Sequence, residues 1–117
     1  MIIEKCKALV DIARKLDMIV VCDDVYNLLY YGDDKNPPAR LFSYDDPKDE
    51  DYKGGNIVSN GSFSKILAPG FRVGWLEAPQ RVVTKLKQSG LLQSGGSVNN
   101  VMFGVIQSLI ELGKMEK

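Results

Sequence analysis

A chain of 117 residues is long enough to enclose one hydrophobic core, and its 44% hydrophobic and 26% charged content is that of an ordinary globular domain. Fifteen basic and fifteen acidic residues cancel, which leaves no net field to attract nucleic acid or an anionic membrane. Histidine is absent, which excludes Ser-His-Asp and Cys-His catalysis, histidine-ligated zinc and any histidine acid or base. A lysine, carboxylate or tyrosine must then move any proton. The two cysteines, Cys6 and Cys22, lack CxxC spacing and read as buried or half-buried thiols in a reducing compartment, which points to the cytoplasm. No apolar stretch approaches the ~18 residues of a membrane span. Charges at Asp11, Arg14, Lys15 and Asp17 break up the apolar positions that a signal peptide would need.

In chain order, Ile2, Cys6, Leu9, Val10, Ala13 and Leu16 recur at helical spacing with charges between them, predicting a helix over residues 2–16 with one buried stripe. Residues 18–22, MIVVC, form a continuous apolar run that fits a strand covered on both faces, as in a parallel sheet. Helix then strand across a short connection at Asp17 is an α/β pattern. Residues 31–55 turn polar; Pro37, Pro38 and Pro47 disfavour regular structure, and the acids from Asp45 to Asp51 predict a solvated surface loop. That acidic run lacks the alternating ligand order of a calcium loop. A second strand is expected over residues 56–63 and a third over 71–77, with a turn at Pro69-Gly70 and an antiparallel return. Pro79 opens a helix that Gly90 is expected to stop. Ser94-Gly95-Gly96-Ser97 leads to a last helix with Ser97 as its N-cap and apolar positions at Val101, Val105, Leu109 and Leu112. Free N–H groups there could also hold an anion.

Ligands of open α/β sheets gather at the carboxyl ends of the strands. Asp23, Asp24 and Tyr26 follow the first expected strand; Ser62, Ser64 and Lys65 follow the second, before a turn to Arg72. Singly, such a lysine is ordinarily a surface charge and such an aspartate a turn or helix cap. Together they offer carboxylate, phenol, hydroxyl, amine and guanidinium to one crevice, which suits a ligand with a cationic ring nitrogen and a phosphate.

Asp23-Asp24-Val25-Tyr26 resembles the Asp-x-x-Tyr element of class I/II aminotransferases. Residues 62–75, SFSKILAPGFRVGW, resemble that family's cofactor-attachment signature along their whole length. The resemblance covers essentially the whole chain and implies an α/β fold: part of a fold-type-I large domain, a mostly parallel sheet piece with flanking helices and one antiparallel strand. It implies pyridoxal 5'-phosphate as cofactor, with Lys65 as its Schiff-base lysine and proton shuttle, a role that calls for a neutral amine. Asp23 is implied as the partner of the ring nitrogen, Tyr26 of the ring's phenolic oxygen, and Ser62 and Arg72, assisted by Ser64, of the phosphate. Asp24, Trp75 and Tyr30 are implied to lie outside the ring contacts. The implied reaction passes an amino group between an amino acid and a 2-oxo acid in an enzyme that is commonly a homodimer. A β-elimination lyase, a non-catalytic cofactor-binding module of a transcription regulator and an inactive remnant share these motifs. Nothing in the chain resembles the family's upstream Gly/Ser phosphate turn, its ring-stacking aromatic, its supporting asparagine or its carboxylate-pairing arginine. Residues 1–117 are therefore expected to be a partial cofactor-binding domain with unpaired edges on its outer strands.

Overall fold

The computed structural model describes residues 3–32, 36–95 and 98–115. Helix α1 spans Ile3–Lys15 and buries Cys6, Val10 and Ala13, the i, i+4, i+7 stripe of the sequence pattern. It ends in a Schellman-type closure: Met18 N–H donates to Ala13 O at 2.9 Å while Asp17 takes the left-handed conformation at φ 46°. The chain is thereby turned back into strand β1, Val20–Asp23.

Strand β2, Ile57–Ser62, pairs parallel with β1, placing Val20 opposite Ile57 and Asp23 opposite Asn60. Helix α2, Phe63–Ile66, follows directly, and strand β3, Gly74–Glu77, returns antiparallel to β2 with Ser59 opposite Glu77 and Gly61 opposite Trp75. The order β1-β2-β3 puts the most buried strand at the centre. Helices α3 (Gln80–Lys87), α4 (Gly90–Gln93) and α5 (Asn100–Glu111) complete the chain. Cys6, Val10, Ala13, Leu41 and Ile57 form the buried core, with Leu9, Val20, Cys22, Phe42 and Tyr44 packed around it. Both cysteines are free thiols, Cys6 buried and Cys22 half-buried.

The mixed α/β architecture and the parallel-then-antiparallel sheet match the sequence expectation. Strand β3 starts at Gly74 rather than at residue 71, and four further details differ. Strand β1 is covered on one face only: Val20 and Cys22 meet the core, whereas Val21 is 65% exposed. The stretch after residue 31 is not merely a solvated loop, because Leu41–Tyr44 form a 3-10 turn that buries Leu41. Its acids draw Arg14, a residue of the apolar helix face, into a buried cluster. Asp45 Oδ1 accepts from Arg14 Nε at 3.0 Å and Nη2 at 2.9 Å, and Asp49 and Asp51 close on the same guanidinium. Asp45 Oδ2 accepts the N–H groups of Asn56 and Ile57, so one carboxylate joins α1 to the start of β2.

Third, Gly90 does not stop a helix but starts α4; α3 ends at Lys87. Fourth, α5 is capped by Asn99, whose side chain accepts from Met102 N–H, while the expected cap Ser97 lies outside the described residues. The helix buries Ile106, with Met102 and Leu109 half-buried, and leaves Val101, Val105 and Leu112 outward. Apolar residues occur on every side of this helix, so periodicity does not choose between its stripes.

At Gly61 the sheet has no room for a side chain. A Cβ there would stand 2.1 Å from Cε2 of Trp75, whose ring also meets Phe63 at 4.9 Å between centroids. Trp75 is thus a packing residue. Among the described residues no helix is long and apolar enough to cross a membrane.

Candidate active site

Because β1 and β2 run parallel, their carboxyl ends, Asp23 and Ser62, leave the sheet at the same edge. Tyr26 lies in the turn after β1, Lys65 in α2 directly after β2, and Arg72 between α2 and β3. Topology alone therefore gathers the expected site residues at one end of the sheet.

The adjacent acids are separated by strand alternation. Asp24 Oδ2 accepts from Ser59 Oγ at 2.6 Å, and Asp24 N–H donates to Asn60 Oδ1 at 2.9 Å. The Asp23 carboxylate has no hydrogen bond or ion pair among the described residues and is exposed. Asp23 is thus the acid of the pair whose side chain stays open to solvent. With Asp24, Tyr26, Tyr30 and Tyr31 it lines an open cleft of about 370 Å³. The Lys65 Nζ stands 5.3 Å from the centroid of the Tyr26 ring, a cation–π approach across the gap between the two strand ends. Lys65 is exposed, so the residues around it do not enclose the amine that its expected role requires.

Ser62 is the N-cap of α2; its Oγ accepts from Ser64 N–H at 3.1 Å and keeps its own proton to donate. Ser64 is buried, and its Oγ accepts from Arg72 Nη1 at 3.0 Å; Arg72 also donates to Pro69 O at 3.2 Å. Arg72 has left-handed backbone at φ 52°, ψ 38°, uncommon for a residue with a Cβ. The bond from Phe63 N–H to Val73 O at 3.0 Å holds the adjoining backbone in register. Two hydroxyls and a guanidinium linked in this way gather donors at one corner, and an exposed carboxylate and a phenol lie at the neighbouring strand end. The donor set fits a group with a phosphate at one end and a protonated ring nitrogen at the other.

Beneath these residues runs a network that the sequence reading missed. Arg40 donates from Nη1 to Ser59 Oγ at 3.1 Å, and its fork is closed by Glu77 on β3. Arg40 holds the Glu77 carboxyl below the usual range, and Glu77 in turn raises Arg40. Burial, reinforced by Asp24 and Cys6, pushes the Cys22 thiol up. Ser59 and Asn60, polar residues in the middle of a buried strand, were the available signal, since buried polar groups demand partners.

A model of the family described as aminotransferase class I and II matches residues 2–93. The structure matches that of the multiple substrate aminotransferase from Thermococcus profundus with a TM-score of 0.74 and 31% identity, covering 99% of this chain and 26% of that one. An uncharacterized protein of Saccharomyces cerevisiae is 34% identical over 98% of this chain and 28% of its own length. An uncharacterized helix-turn-helix-type transcriptional regulator of Bacillus subtilis is 31% identical over 80% of this chain and 18% of its own length. The chain thus spans under a third of the length of each of these relatives.

Proposed function

Since the chain belongs to the class I and II aminotransferase family, we propose that residues 1–117 form part of a large domain that holds pyridoxal 5'-phosphate and carries out transamination. The observation that carries this reading is the convergence of Lys65, Tyr26, open Asp23 and the linked Ser62, Ser64 and Arg72 at one sheet edge. The substrates are an amino acid and a 2-oxo acid, and the assembly is a homodimer. The compartment is the cytoplasm, where Cys6 and Cys22 stay reduced.

When bound, pyridoxal phosphate supplies an aldehyde for a Schiff-base link and a ring that accepts an electron pair. Lys65 Nζ would form that link and, as a free amine, would serve as the base that takes up the proton of the substrate α-carbon. Asp23 would keep a proton on the ring nitrogen by its negative charge. Tyr26 Oη would donate to the ring's phenolic oxygen. Arg72, with Ser62 and Ser64, would hold the phosphate by charge-assisted hydrogen bonds. Positioning is this chain's main contribution, because a reacting group held in the right geometry needs less ordering at the barrier.

The similarity to a transcriptional regulator favours one second reading, a module that binds the cofactor without turnover. The test is the absorbance spectrum with added pyridoxal phosphate, then borohydride reduction and peptide mapping. The expected result is a visible band with the label on Lys65, lost in Lys65→Ala. Amino and 2-oxo acid exchange supports transamination, ammonia release supports a lyase, and a band without turnover supports the regulator module. Label scattered over surface lysines rejects the site.

A further inference from the structure

We propose that Asp24 is a positioning residue for the proposed cofactor site, the end of a directed chain Glu77–Arg40–Ser59–Asp24 that fixes how the neighbouring Asp23 is presented. The inference rests on the reading of Asp23 as partner of the ring nitrogen.

The chain has one direction only. Arg40 is a donor without acceptor capacity, so Ser59 Oγ receives its N–H at 3.1 Å and must send its single proton onward. Asp24 Oδ2, at 2.6 Å, receives that proton. The opposite end is closed by the Arg40–Glu77 pair. Four side chains from β3, the segment before the 3-10 turn, β2 and the end of β1 are thereby joined. Ser59 is fully buried, so its hydroxyl has no water with which to replace a lost partner.

The same residue is gripped through its backbone, where Asp24 N–H donates to Asn60 Oδ1 at 2.9 Å. Two bonds to consecutive residues of β2 leave the Asp24 peptide little freedom to rotate. Asp23 is the preceding residue and has no side-chain partner of its own among the described residues, so its direction is set by its backbone, held on one side by the strand pairing opposite Asn60 and on the other by the anchored Asp24. Tyr26, two residues further on, starts from the same anchored turn, which continues through Asn27 N–H to Asp24 O at 2.9 Å. The doublet Asp23-Asp24 then divides its labour: one carboxylate faces the ligand and the other faces the sheet.

The test compares the wild-type chain with Asp24→Ala, Ser59→Ala and Asp24→Asn; the asparagine keeps an acceptor oxygen for Ser59. The readouts are pyridoxal phosphate affinity, the pH at which the Lys65-linked band titrates, and hydrogen exchange of the residue 24–27 amides without cofactor. Loss of a buried, charge-assisted bond predicts about tenfold or greater weakening of binding in both alanine variants, with faster exchange at residues 24–27. In both, the band holds its proton to higher pH, because a ring that has lost its Asp23 contact withdraws fewer electrons. Asp24→Asn remains close to wild type. If the wild type forms no Lys65-linked band, the site reading fails and this inference with it. If the wild-type band forms and the alanine variants match it, the site reading stands and the positioning role is overturned. Weaker binding that tracks a lower melting temperature, with an unshifted band, reduces Asp24 to a fold-stabilising residue and also overturns the proposal.

Discussion

Replacing Asp45 by asparagine changes one atom in a carboxylate that accepts four N–H groups. Oδ1 takes two from Arg14, and Oδ2 takes those of Asn56 and Ile57. An amide has one acceptor oxygen, so Asp45→Asn satisfies either the guanidinium or the two backbone donors. Facing Arg14, its NH2 meets two buried N–H groups, each costing about 1–3 kcal/mol unsatisfied. Facing the backbone, it leaves Arg14 to the more exposed Asp49 and Asp51, and breaking a buried pair costs about 3–5 kcal/mol. The two orientations predict losses of about 2–6 and about 3–5 kcal/mol, a large part of the roughly 5–15 kcal/mol that holds a domain folded. With a urea slope of 1–3 kcal/mol per molar, the midpoint falls by about 2 M. Asp49→Asn and Asp51→Asn, with side chains 46% and 59% exposed, are expected to cost under about 1 kcal/mol each. Urea unfolding of all three variants, followed by far-ultraviolet circular dichroism at neutral pH, makes the comparison. A midpoint for Asp45→Asn no lower than that of Asp49→Asn would show that the buried carboxylate does not join α1 to β2 energetically.

Gly61→Ala forces Trp75 aside and costs about 1–3 kcal/mol by overpacking, read as a lower melting temperature and altered tryptophan emission; unchanged values refute the contact. The Glu77 carboxyl is held low in the folded chain, so its stabilisation is present above its unfolded pKa of about 4.3 and fades as pH falls below it. Glu77→Gln should flatten that acid limb by under about 1 kcal/mol in urea midpoints measured from pH 7 to 3, and equal slopes would reject the pair. The raised Cys22 thiol should react with iodoacetamide more slowly at pH 8 in the folded chain than in urea, as mass mapping of both cysteines can record; equal rates would contradict its half-buried setting.

Elements built on one dominant periodicity were legible in the sequence. The α1 stripe of Cys6, Val10 and Ala13 and the strands at Val20–Asp23 and Ile57–Ser62 came out close to expectation, because a helical stripe and a short apolar run are one-dimensional signals, although the run at β1 did not reveal that only one of its faces is covered. What stayed hidden depends on partners distant in sequence. Arg14 looks like a solvated charge until acids 31 to 37 residues away close on it. The third strand begins only at Gly74, after Arg72 has turned left-handed, a constraint imposed by Ser64 and Pro69 rather than by local propensity. The order of Asp23, Tyr26, Lys65 and Arg72 was readable from motifs, but that Asp24 faces away follows from Ser59 and Asn60, whose role appears only once the strands are paired.

The parallel pairing of Val20 with Ile57 also bears on synthesis. Strand β1 is synthesised well before its neighbour: at roughly 5–20 residues per second, the 39 positions from Asp23 to Ser62 take about 2–8 s. Helix α1 waits through the same interval with Cys6, Val10 and Ala13 lacking the Ile57 side chain that completes their core. Arg14 meets its first acid, Asp45, about a dozen residues before β2 begins, so an ion pair is available to draw the helix toward the nascent turn before any sheet can form. The length of the stretch between the strands thereby sets the interval before β1 can pair with β2.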